Sequence, residues 1–122
     1  MSILLDSVIL IDHLNGVRAA TRFLESLEEA SISVITRAEV LAGLTPAAVP
    51  AVMEWLDRYP TFPIDRRTAD LAAELRRQYK WKLPDALQAA VAGQHGLQFA
   101  TRNTKDFPVR RHSFVVVPYL VR

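Results

Sequence analysis

"MSILLDSV", residues 1–8, decides the fold: three apolar side chains in a row, Ile3, Leu4 and Leu5, read as a short buried strand that stops on the carboxylate of Asp6. Helix-like and strand-like segments then alternate. Val17, Ala20, Leu24 and Leu27 recur at helical spacing with Arg18, Arg22, Glu25 and Glu28 opposite, which predicts a surface helix. "SISVI" (31–35) is short and β-branched, and "TRAEVLAGL" (36–44) reads as a helix capped by the hydroxyl of Ser33 or Thr36. "TPAAVPAVMEWLDRYP" (45–60) predicts another helix with proline near its start, and "TFPI" (61–64) a weak strand. "RRTADLAAELRRQY" (66–79) and "PDALQAAVAGQHG" (84–96) follow as helices, then "LQFAT" (97–101) and "SFVVVPYL" (113–120) as strands. The order βαβααβααββ favours a three-layer α/β/α sandwich around a mainly parallel sheet, in a single domain spanning residues 1–122.

Composition sets bounds on this reading. At 122 residues with 23% charged, the chain has the size and balance of one folded unit, and its apolar runs are far shorter than a membrane span needs. It has no cysteine, and the start of the sequence lacks a basic leader with a long apolar stretch, so thiolate metal sites are excluded and the cytoplasm is the expected compartment. Fifteen Lys and Arg against thirteen Asp and Glu give a net charge of +2, which permits nucleic-acid binding without requiring it.

In open parallel sheets ligands bind beyond the carboxyl ends of the strands, where the strand order reverses. Asp6 ends the first strand, while Thr101, Asn103 and Asp106 follow "LQFA", and those two strands are candidate neighbours. Glu39 lies early in the helix after the second strand, in a segment expected to be largely packed, and Asp85 lies in the first turn of a helix apolar nearly all round. Four carboxylates from distant positions can thus converge on one rim. Gathered carboxylates repel, and a divalent ion relieves the repulsion. Oxygen ligands without cysteine or paired histidine select Mg²⁺ or Mn²⁺, and such ions serve phosphodiester hydrolysis.

"LLDSVILID" (4–12), "SVITRAEVLAGL" (33–44), "LPDALQAAVA" (83–92) and "FATRNTKDF" (99–107), in this order and spacing, resemble the PIN-domain ribonucleases, specifically the VapC-type toxins of toxin–antitoxin modules. The resemblance covers nearly the whole length. It implies that Asp6, Glu39, Asp85 and Asp106 are the catalytic acids holding Mg²⁺ or Mn²⁺, supported by Thr101 and Asn103, with Asn103 a rival to Asp106 for the fourth position. It further implies cleavage of RNA, a homodimer, and a cognate antitoxin that blocks the groove.

Each acid also has an ordinary reading. Asp85 suits a helix dipole, Asp6 reads equally as a cap for "SVILIDHL", Glu39 as a surface partner of Arg37, and Asp106 as a turn residue. Asp12, Asp57, Asp65, Asp70 and Glu74 read as surface or capping groups, and His13, His95 and His112 lack metal-ligand spacing. Arg76, Arg77, Lys80 and Lys82 are candidate phosphate contacts, with Tyr79 and Trp81 read either as stacking platforms for unpaired bases or as core. Arg102, Lys105, Arg110 and Arg111 form a second candidate track.

Rival classes fail on single positions. A haloacid-dehalogenase-like phosphatase needs a second aspartate where Val8 stands, a receiver domain needs a phosphoacceptor that Asp65 is misplaced to supply, and dinucleotide binding needs glycines that "LLDSVILID" lacks. The remaining alternative is a PIN-like RNA- or protein-binding module without turnover.

Overall fold

A computed structural model describes residues 2–120. Five strands, β1 (Ile3–Leu5), β2 (Ala30–Ser33), β3 (Thr61–Phe62), β4 (Gln98–Ala100) and β5 (Val115–Val116), form one parallel sheet in the order β3-β2-β1-β4-β5. The chain moves outward from β1 through β2 to β3, then returns to the other side of β1 for β4 and β5. The strand order therefore reverses between β1 and β4.

Two-residue alternation along the strands builds two cores. Ile3 and Leu5 of β1 join Ile32, Val40, Leu56 and Ala100 on one face, beneath the helices α1 (Ser7–Leu14), α2 (Arg18–Ser26), α3 (Val34–Ala42) and α4 (Val49–Leu56). Leu4 points the other way and meets Phe99, Phe107, Trp81 and the alanine-rich face of α6 (Leu83–His95), with Leu71, Ala72 and Leu75 of α5 (Arg66–Tyr79) behind. Small side chains at Ala86, Ala89 and Ala90 let α6 lie close against the sheet. This is the expected three-layer sandwich, and none of the helices among the described residues is long and apolar enough to cross a membrane.

Several local expectations are corrected. "SVILIDHL" is itself a helix, α1, so two helices rather than one separate β1 from β2. The second strand ends at Ser33, two residues short of the expected Ile35, because Ser33 Oγ accepts from the backbone N–H groups of Ile35 and Thr36 at 3.1 and 3.3 Å and starts α3 there. The segment 45–60 splits into a 3-10 turn (Pro46–Ala48) and α4, with Pro50 in the first turn of the latter. The last two strands of the sequence shorten to three and two residues.

Candidate metal-dependent site

The carboxyl end of β1 shows why Asp6 stands there. Its Oδ1 accepts from the Ser7 N–H at 2.8 Å at the start of α1, and its Oδ2 accepts from Thr101 Oγ1 at 2.6 Å. Its own N–H donates to the Ala100 carbonyl at 2.9 Å. Asp6 is a helix cap and also the acid at the switch point; the two readings of the sequence are not exclusive. Burial pushes its carboxyl above the usual carboxylate value, with Glu39 adding to the rise, while Thr101, Ser7 and the Arg102 cation oppose it.

Asp6, Glu39 and Asp85 line one open cleft of about 400 Å³ with Ser7, Val8, Arg102 and Asn103. Glu39 is exposed on α3, contrary to the packed position expected for it, and it reaches the cleft from the solvent side. Arg37 does not pair with it, because Arg37 Nη1 donates to Asp57 at 2.8 Å. Asp106 stands behind this cleft, where its carboxylate accepts from Asn103 Nδ2 at 3.0 Å and its N–H donates to Asn103 Oδ1 at 3.3 Å. The Asn103 N–H in turn donates to Thr101 Oγ1 at 3.0 Å, so Thr101, Asn103 and Asp106 form one linked series that begins at Asp6.

Asp85 carries the electrostatic consequence. Its carboxyl is pushed up to about 6 by burial first, then by Asp6, Asp106 and Glu39, and only the Lys82 cation opposes this. An oxygen-rich cluster that raises its own pKa in this way is chemically suited to a hard divalent cation. As they stand, no three acidic or histidine side chains among the described residues are drawn together tightly enough to enclose an ion. Mg²⁺ commonly takes only one or two carboxylates and keeps its remaining waters, so the donor set fits such an ion.

Two polar assemblies that position the cleft carry no signal in the sequence. Gln88, fully buried one turn beyond Asp85, accepts from Ser33 Oγ at 2.6 Å and donates through Nε2 to Thr36 Oγ1 at 2.6 Å. Thr36 Oγ1 donates to the Leu5 carbonyl at 3.0 Å, joining β1 to α3 and α6, the helices that carry Glu39 and Asp85. Asp12 is the second correction: it is buried rather than a surface group. Its carboxylate takes Arg102 in a two-pronged pair at 2.6 and 3.0 Å and accepts from the Tyr119 hydroxyl at 2.8 Å. The Arg102 guanidinium holds the Asp12 carboxyl below the usual carboxylate range.

The proposed basic tracks divide. Arg102 is fixed at the cleft rim, while Arg76 is engaged structurally, its Nη1 donating to the Trp81 carbonyl at 2.7 Å. Arg77, Lys80, Lys82, Lys105, Arg110 and Arg111 are exposed. Trp81 is buried at 4% exposure, which removes it as a free stacking surface, whereas Tyr79 keeps 41%. Asp65 caps α5 by accepting from the Thr68 N–H at 2.9 Å, Asp57 is a surface ion-pair partner, and Asp70 and Glu74 are exposed, as expected.

The PIN domain family model matches residues 3–111. Ribonuclease VapC10 of Mycobacterium tuberculosis is 37% identical, covering 88% of this chain and 86% of that protein. A solved toxin–antitoxin complex from Klebsiella pneumoniae contains a chain that superposes with a TM-score of 0.92 at 38% identity, over 98% of this chain and 100% of that one. FitAcB from Neisseria gonorrhoeae superposes at 0.78 with 28% identity, over 95% and 97%. With its fold, its strand order and nearly its full length matched, the chain belongs to the PIN domain family and to the VapC type within it.

Proposed function

We propose that this protein is an endoribonuclease toxin in which Asp6, Glu39, Asp85 and Asp106 hold Mg²⁺ or Mn²⁺ and hydrolyse an RNA phosphodiester. The observation that carries the reading is the open cleft in which Asp6 just past β1, Glu39 of α3 and Asp85 of α6 meet, with Asp106 close enough to raise Asp85. The name of the ribonuclease relative supplies the substrate class.

A divalent ion bound there would neutralise the gathered charge and act as a Lewis acid toward the phosphodiester and its attacking water. The chain's own groups supply the rest. Asp6 is held in one orientation by Ser7 and Thr101, so its carboxylate would hold an ion there without reorganising. Asp85, pushed up to about 6 while the neighbouring acids are uncompensated, would be held fully ionised as a ligand once a cation joins them. Arg102, locked by Asp12, presents a cation on the rim where a phosphate enters. The Asn103 amide keeps Asp106 turned toward the series that begins at Asp6.

The toxin–antitoxin complex among the structural relatives supports an antitoxin partner for this chain, while a homodimer acting on cytoplasmic RNA is what the resemblance alone implies. Purified protein incubated with total RNA and Mn²⁺ tests the catalytic part. Cleavage is expected to cease with chelator and to fall at least about a hundredfold in Asp6→Asn with the fold intact. Undiminished cleavage by that variant rejects the site.

A further inference from the structure

Beside Asp106, and sharing no lining residue with the acidic cleft, lies a recess of about 140 Å³ lined by Tyr79, Trp81, Lys105, Asp106, Arg111 and His112. Its wall is a built platform. Lys80 adopts φ +63°, the one left-handed non-glycine residue among those described, and this turn at the end of α5 brings the rings on either side of it together. Tyr79 and Trp81 stack at 4.5 Å with planes 19° apart. Trp81 is fixed from below: its Nε1 donates to the Asp106 carbonyl at 2.7 Å, its own carbonyl accepts from Arg76, and its ring lies 4.6 Å from Phe107. Tyr79 is thus held in place while remaining 41% exposed. Lys105 and Arg111, both exposed, provide positive charge in a recess whose other walls are the Tyr79, Trp81 and His112 rings, Pro108 and Asp106.

We propose that this recess is a subsite for one unpaired nucleotide of the RNA substrate, its base stacked on Tyr79 and its adjoining phosphate met by Lys105 and Arg111. The proposal rests on the ribonuclease reading and extends it to the choice of cleavage position. An aromatic ring accepts any base face, and flanking cations suit a phosphate better than an apolar peptide. Asp106 is shared: its carboxylate belongs to the series leading to the cleft and its carbonyl holds the platform, so an RNA strand crossing Asp106 passes from one to the other. A single recessed ring site favours a flexible strand over a duplex.

The test measures binding of a fluorescein-labelled single-stranded oligoribonucleotide to the full chain by anisotropy in chelator, with cleavage followed separately in Mn²⁺. Tyr79→Leu is expected to weaken binding about tenfold while Tyr79→Phe binds as the parent does. Lys105→Gln combined with Arg111→Gln is expected to lower the slope of log K against log salt by about 0.7, the share of one phosphate contact on a single strand. Folding is checked by near-ultraviolet circular dichroism, and if Tyr79→Leu does not fold, the salt slope decides alone. Unchanged binding by a folded Tyr79→Leu, or an unchanged slope, overturns the subsite. In either case, cleavage by the parent leaves the ribonuclease reading standing. Tyr79-dependent binding without cleavage by the parent supports the subsite and rejects the catalytic reading.

Discussion

Asp85 is the residue at which the cost of assembling this site is largest. Its folded pKa of about 6 lies above the ordinary 3.8, so in the metal-free protein it contributes stability that is fully present below about 3.8 and is lost as pH rises through about 6. At pH 7 the ionised group is penalised. Asp85→Asn removes the penalty, so in chelator the variant is expected to melt above the parent at pH 7, with the gap closing toward pH 4 in scanning calorimetry. Added Mn²⁺ is expected to raise the parent's melting temperature more than the variant's. The meeting of Asp6, Glu39 and Asp85 in one cleft was legible because their types and spacing repeat a known pattern. Asp12 was not: a single aspartate in α1 looks like any polar face, and only the fold brings Arg102 and Tyr119 to it across 90 and 107 positions.

At the scale of elements, the helices are fixed by polar contacts that the apolar pattern hides. Gln88 sits in a run of alanines that reads simply as a buried helix, yet it is the group that ties α6 to Ser33 and Thr36. Removing it leaves both hydroxyls short of a buried partner. Gln88→Leu is expected to destabilise the fold by about 1–3 kcal/mol, measured by urea unfolding, and to shift α3 relative to α6 so that cleavage falls with it. Parent-like stability would show that the tie is dispensable. Long amphipathic segments such as α5 were readable from periodicity, because four-residue spacing survives any tertiary context. The short elements were not: α1 has apolar residues nearly all round, and β3 and β5 are two residues each, defined by their partners rather than by their own composition.

For the whole molecule, the strand order β3-β2-β1-β4-β5 is what converts a sequence separation of 95 residues between Asp6 and Thr101 into a 2.6 Å hydrogen bond. The sandwich was legible from the alternation of elements, and the neighbouring of β1 and β4 from the acids at their ends. The extent of packing around Glu39 was not, since a helix at the edge of the cleft exposes one side that its sequence does not mark. We propose that a cation joins the carboxylates that the sheet brings to this rim, whose mutual repulsion raises Asp85. Crystals grown with Mn²⁺ and measured at its absorption edge test this most directly. The expected result is an anomalous peak among Asp6, Glu39, Asp85 and Asp106 that disappears in Asp6→Asn; carboxylates turned away from one another around a cleft with no such peak, in protein that still cleaves RNA, would contradict it.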